Sequence, residues 1–161
     1  MAGCQQPCAD IKGALEASIM KRNLIVLTVL SFISLASLAE NWEVPIVLDG
    51  ATPITAEELV DLIDQMDNLV LIDARQTEQF KQGTIKGSIS LPNTKTSPGA
   101  LSNLAPDKLT PLVFYCDGLS CPHSMKSVKK AVSYGYVNIF WFRGGIAEWT
   151  EKGLPIKHKG K

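Results

Sequence analysis

The chain has 161 residues, 16 basic and 16 acidic side chains, a 45% hydrophobic share and four cysteines. A balanced charge gives no electrostatic reason to expect nucleic acid or an anionic lipid surface as partner, and the length suits one domain with a modest but self-sufficient core. Two of the cysteines fall within the first eight residues, and the two that remain are too few for a structural disulfide framework.

Residues 1–19, with Cys4 and Cys8, read as an upstream extension, because translation is expected to start at Met20. Met20-Lys21-Arg22-Asn23 is a short positive region, and Leu24 to Ala39 is a 16-residue run without a charge. That run is shorter than the roughly 20 apolar residues of a spanning helix, and Ser37-Leu38-Ala39 places small residues before Glu40. The pattern predicts a signal peptide over 20–39, cleavage after Ala39, a periplasmic product and no stable membrane association afterwards. Cleavage removes two acidic side chains, Asp10 and Glu16, and three basic ones, Lys12, Lys21 and Arg22, leaving a net charge of about minus one.

Residues 40–161 read as a single domain with its core at about 54–156, built from alternating strands and helices. Asn41 to Ala51 is a lead-in, and Pro53-Ile54 a short strand. Thr55 and Glu58 form a capping box that opens a helix through about Met66, with Leu59, Leu62, Ile63 and Met66 on one face. Leu69 to Ile72 is a continuous apolar run, as a buried parallel strand requires. Thr77 to Gln82 forms a short helix stopped at Gly83, and Ile89-Ser90-Leu91 a brief strand halted by Pro92. Asn93 to Pro111, with three prolines, reads as loop with one helical turn near Leu101. Leu112 to Tyr115 is the next buried strand. A helix over Ser124 to Ser133, a strand over Val137 to Phe142, a turn at Gly144-Gly145 and a helix over Ile146 to Lys152 follow. Strands joined by helical crossovers predict an α/β fold, a small parallel sheet with helices on both faces.

The chemistry concentrates where the buried strand runs into Cys116-Asp117-Gly118-Leu119-Ser120-Cys121-Pro122-His123-Ser124. A loop that leaves a strand end and enters a helix aims backbone N–H groups and a positive dipole at its contents. A thiol at its first position is helped to ionise, and the thiolate is the nucleophile. Gly118 suits a loop that must curl. Leu119, Ser120, Pro122 and His123 complete the lining. A cysteine-loop phosphatase is excluded, since its chemistry needs a cation facing the phosphoryl oxygens and no Arg lies between Cys116 and Ser124. Zinc on Cys116, Cys121 and His123 lacks an obvious fourth ligand, so no metal and no other cofactor is expected.

Leu71-Ile72-Asp73-Ala74-Arg75, Phe80, Gly83 to Ile89 and Leu91-Pro92, then Phe114-Tyr115-Cys116, Gly135 to Ile139, Phe142 to Ile146 and Trp149, together resemble the rhodanese family. The resemblance runs from about Ile54 to Ile156. It implies a rhodanese-like fold in which Cys116 accepts sulfur and Asp117 to His123 form the substrate loop around it. Asp73, Arg75, Arg143 and Gly144 are read as structural support. Three features depart from the family pattern. Asp117 stands where family loops often carry Arg or Lys, and its charge opposes both thiolate formation and anion approach. The distance to Gly135-Tyr136 implies a longer loop. Cys121 adds a second sulfur that a curled loop can bring within bridging range.

Three readings follow. Cys116 carries sulfane sulfur as a persulfide in a thiosulfate sulfurtransferase-like reaction; or Cys121 resolves an adduct on Cys116, giving a thiol redox protein or oxyanion reductase; or the domain is a non-catalytic binding module. The expected partners are a small sulfur-containing or oxyanion substrate and a thiol reductant protein.

Overall fold

The computed structural model describes residues 44–158. The expected extension over 1–19, the signal segment over 20–39 and its cleavage after Ala39 lie outside the described residues. In chain order the elements are β1 (Thr52–Ile54), α1 (Ala56–Gln65), β2 (Val70–Asp73), α2 (Thr77–Gln82), β3 (Thr84–Ile85), β4 (Ile89–Ser90), α3 (Pro98–Leu104), β5 (Leu112–Tyr115), α4 (Pro122–Ser133), β6 (Ile139–Phe142), α5 (Gly145–Glu151) and β7 (Ile156–Lys157). No helix among the described residues is long and apolar enough to cross a membrane.

Five strands make one parallel sheet in the order β1-β6-β5-β2-β4, so β5 is central and β1 and β4 are the edges. All four residues of β5 are buried, which is why the sequence shows an unbroken apolar run there instead of alternation. Successive side chains still point to opposite faces. Ile72, Phe114 and Trp141 pack with Leu101, Met125 and Val128 beneath α3 and α4. Leu71, Val113, Tyr115 and Phe142 pack with Leu59 and Trp149 beneath α1 and α5. The sheet is thus covered on both faces, as the strand-and-helix alternation predicts. Burying each such side chain contributes about 1.5–3 kcal/mol.

The capping box at the start of α1 is formed as expected: the Thr55 N–H donates to Glu58 Oε2 at 2.7 Å, and the Glu58 N–H to Thr55 Oγ1 at 3.3 Å. The apolar face of α1 differs. Ala56 and Leu59 are buried with Val60 and Leu62 packed beside them, while Ile63 is 38% exposed. In α3, two helical turns replace the single turn expected near Leu101. Ser97 Oγ accepts the Ala100 N–H, and Pro98 sits at the helix start, where its missing N–H has no partner to lose. The same tolerance lets α4 begin at Pro122, two residues before the expected start. β6 begins at Ile139 because Val137, 67% exposed, stands outside the sheet. β3 and β7 form a separate antiparallel pair, Thr84 opposite Lys157 and Ile85 opposite Ile156, which two-residue strands do not announce in a sequence.

A buried polar network closes the carboxyl end of β2. The Arg75 Nε and Nη2 donate to the Asp73 carboxylate at 2.7–3.1 Å, and Nη2 also reaches the Gly83 carbonyl at 2.7 Å. Asp73 Oδ2 further accepts from the Tyr115 hydroxyl at 2.9 Å and from Thr84 Oγ1 at 3.2 Å. Burial and the Asp73 charge push the Tyr115 phenol well above its ordinary range, so it remains a donor. Replacing Asp73 with Ala leaves the Arg75 charge buried and unpaired. The expected loss in urea unfolding is about 3–5 kcal/mol; a loss below about 1 kcal/mol would show that the pair is no anchor.

Candidate active site

The loop from Cys116 to Ser124 leaves the central strand at its carboxyl end, flanked by the ends of β2 and β6, the place where open parallel sheets bind ligands. Its backbone is held by α5. The Ile146 N–H donates to the Cys116 carbonyl and the Ala147 N–H to the Asp117 carbonyl, both at 2.9 Å. This approach requires glycine at 145: φ is +59°, and a Cβ there would stand 2.3 Å from the Cys116 oxygen. Gly118, expected to supply backbone freedom, has no positive φ. It matters through proximity, since a Cβ at that position would sit 3.3 Å from Ala147 Cβ. The Cys121 N–H returns to the Gly118 carbonyl at 3.0 Å and closes the tip of the loop.

Cys116 is fully buried. Its Sγ lies 3.0 Å from Ser124 Oγ and 3.2 Å from the Cys121 carbonyl. The Trp141 Nε1–H donates to Ser124 Oγ at 2.9 Å, which leaves the Ser124 hydroxyl hydrogen free to point at the sulfur. Ser124 is the site residue that sequence reasoning left out. The signal available was a hydroxyl one helical turn into the helix that follows a cysteine loop.

The two thiols have opposite environments. The neighbouring Cys121 side chain and burial push Cys116 well above the ordinary thiol range, while the Ser124 hydroxyl and backbone pull it down only in part. Cys121 is half-buried, and the neighbouring Cys116 side chain lowers it to about 6 despite desolvation, helped by the backbone at His123 and Asp117. The expectation that the loop helps Cys116 itself to ionise is therefore corrected. A carbonyl and a second sulfur crowd the buried thiol, and the help goes to Cys121 at the start of α4.

Asp117 does not stand as an isolated opposing charge. Gln79 Nε2 donates to both of its oxygens at 3.0 Å, and Arg75 Nη1 lies 3.8 Å from Oδ1. Arg75 thus joins the buried Asp73 to a loop residue whose side chain is 43% exposed, a contact beyond the strand-end support expected of it. Cys121 Sγ is 3.7 Å from Asp117 Oδ2. Leu119, 57% exposed, and Ser120 form the outer rim; Pro122 and His123 are half-buried in the first turn of α4. Arg143 ties the lead-in segment to the end of β6 through the Val44 carbonyl at 3.1 Å. At Gly144 a side chain would meet Glu148.

The model of the Rhodanese-like domain family matches residues 55–152. The chain is 32% identical over 109 residues to the thiosulfate sulfurtransferase GlpE of Actinobacillus succinogenes, covering 66% of this chain and 90% of that one. It is 30% identical over 104 residues to the uncharacterized protein YibN of Escherichia coli K12, covering 64% and 70%. Among solved structures, the human single-domain sulfurtransferase TSTD1 superposes with a TM-score of 0.55 at 26% identity, covering 63% of this chain and 97% of that one.

The unequal thiols give a pH-dependent signature. Only thiolate reacts with iodoacetamide, so Cys121 modification is expected to rise through a midpoint near about 6, while Cys116 stays unmodified through neutral pH. Peptide mapping that finds Cys116 alkylated first at neutral pH refutes the assignment.

Proposed function

The chain belongs to the rhodanese-like domain family, and on that premise we propose that it is a sulfurtransferase that carries sulfane sulfur as a persulfide on Cys116. The observation that carries this reading is the placement of Cys116 Sγ: at the end of the central strand, enclosed by its loop, with the Ser124 hydroxyl 3.0 Å away. As the loop opens, loss of the Cys116 proton to solvent generates the nucleophile, and the Ser124 hydroxyl 3.0 Å from Sγ donates to the thiolate formed. That thiolate attacks the outer sulfur of thiosulfate, forming a Cys116 persulfide and releasing sulfite. A small thiolate acceptor then takes the outer sulfur and restores the Cys116 thiolate. Because the Cys121 carbonyl lies 3.2 Å from the sulfur, residues 117–121 must give way for the donor to enter.

A second reading is favoured by the engagement of one thiol with the other. Here an external disulfide is the oxidant: exchange on Cys121 releases one thiol, attack by Cys116 releases the second, and a Cys116–Cys121 disulfide remains. A thiol reductant protein then reopens the pair. The charge-free run ending at Ala39 supports placing either activity in the periplasm.

Mass spectrometry after incubation with thiosulfate separates the readings. The expected result is a gain of one sulfur atom, absent in Cys116→Ser and present in Cys121→Ser. A Cys116–Cys121 disulfide with no added sulfur would overturn sulfur transfer in favour of redox exchange. For the location, the periplasmic fraction is expected to yield a chain whose N-terminus is Glu40, and a cytosolic uncleaved chain refutes it.

A further inference from the structure

We propose that Asp117, Cys121 and His123 form a three-ligand site for a borderline-soft divalent metal ion of the zinc class. Their ligand atoms all lie within 4.8 Å of one another. Asp117 Oδ2 and Cys121 Sγ are 3.7 Å apart. Two ligands of one tetrahedral zinc ion stand about 3.5 Å apart, given bonds of about 2.3 Å to sulfur and 2.0–2.2 Å to oxygen. The carboxylate and the thiol are therefore already near the required separation.

A separate observation comes from His123. Its Nδ1 is buried and has no hydrogen-bond partner among the described residues. A buried imidazole nitrogen without a partner is costly, and a metal ion is one of the few groups that satisfies it. The carboxylate is also oriented from behind: Gln79 Nε2 holds both Asp117 oxygens at 3.0 Å, as outer partners of metal ligands do. One sulfur, one nitrogen and one oxygen exclude calcium and magnesium, which take oxygen ligands, and select the zinc class.

The absence of metal expected from sequence rested on a set that included Cys116 and lacked a fourth ligand. In the folded loop Cys116 is buried against Ser124, and Asp117 takes its place in the cluster. Three protein ligands with a fourth position open to water or substrate is the pattern of exchangeable and catalytic sites, whereas structural sites are closed by four. An ion held there occupies the Cys121 sulfur. It thereby blocks disulfide closure with Cys116.

The test is a cobalt titration of the full chain carrying Cys4→Ser and Cys8→Ser, reduced and anaerobic, so that only the loop thiols remain. One equivalent of Co²⁺ is expected to raise a thiolate-to-cobalt charge-transfer band with tetrahedral ligand-field bands, and one equivalent of Zn²⁺ to abolish them. The bands persist in Cys116→Ser and vanish in Cys121→Ser. His123→Gln and Asp117→Asn weaken binding by at least the roughly 10–100-fold that loss of an outer partner costs. Absence of the bands, their survival in Cys121→Ser, their loss in Cys116→Ser, or wild-type affinity in both ligand variants would overturn the site. The readout is independent of sulfur transfer, so its failure leaves that reading intact.

Discussion

The Asp73 carboxylate is the point on which the rest of the molecule converges. It receives Arg75 from its own strand end, Tyr115 from the central strand and Thr84 from the small antiparallel pair. A buried charge of this kind is tolerable only when every lone pair is used. Satisfying it fixes the end of β2 against the end of β5, one residue before Cys116. Arg75 carries the constraint onward to Asp117, so the position of the loop's first acidic side chain is set from within the core. The loop is therefore held at two levels, by this network on one side and by the N–H groups of Ile146 and Ala147 on the other.

Much of the architecture was legible in the sequence because it rests on patterns that hydrophobic burial imposes locally. The unbroken runs at Leu69–Ile72 and Leu112–Tyr115 mark the buried strands found at Val70–Asp73 and Leu112–Tyr115, and Thr55 with Glu58 marks a helix start. Proline misled where its position within an element mattered more than its presence. Pro98 and Pro122 initiate helices where the local pattern predicts loop. Ile63 was assigned to the apolar face of α1 by periodicity, yet the core ends at Leu59 and Leu62. Nothing local announces β3 and β7, which exist because the chain end returns to pair with Ile85.

The candidate site was legible in its membership but not in its electrostatics. Cys116, Asp117 and Cys121 stand where the strand-to-helix loop predicts. What sequence reasoning could not supply was which sulfur faces solvent and which faces a carbonyl. Burial and the Cys121 sulfur raise one thiol, and that interaction lowers the other. The division of labour thus arises from unequal surroundings, not from residue type. Asp117, expected as a repelling charge, is hydrogen-bonded by Gln79 and lies near Arg75, residues distant in sequence and therefore invisible to any local pattern.

The sheet's margins carry a consequence of another kind. Its two outer strands are three and two residues long, and β1 contains Pro53, which has no N–H to offer. An outer strand with a full row of free donors and acceptors is a template for a neighbouring chain. Here little of that template exists, since proline interrupts one border and Pro92 ends the other soon after it begins. Loops of such a small domain can loosen without presenting neighbouring molecules with a strand to copy.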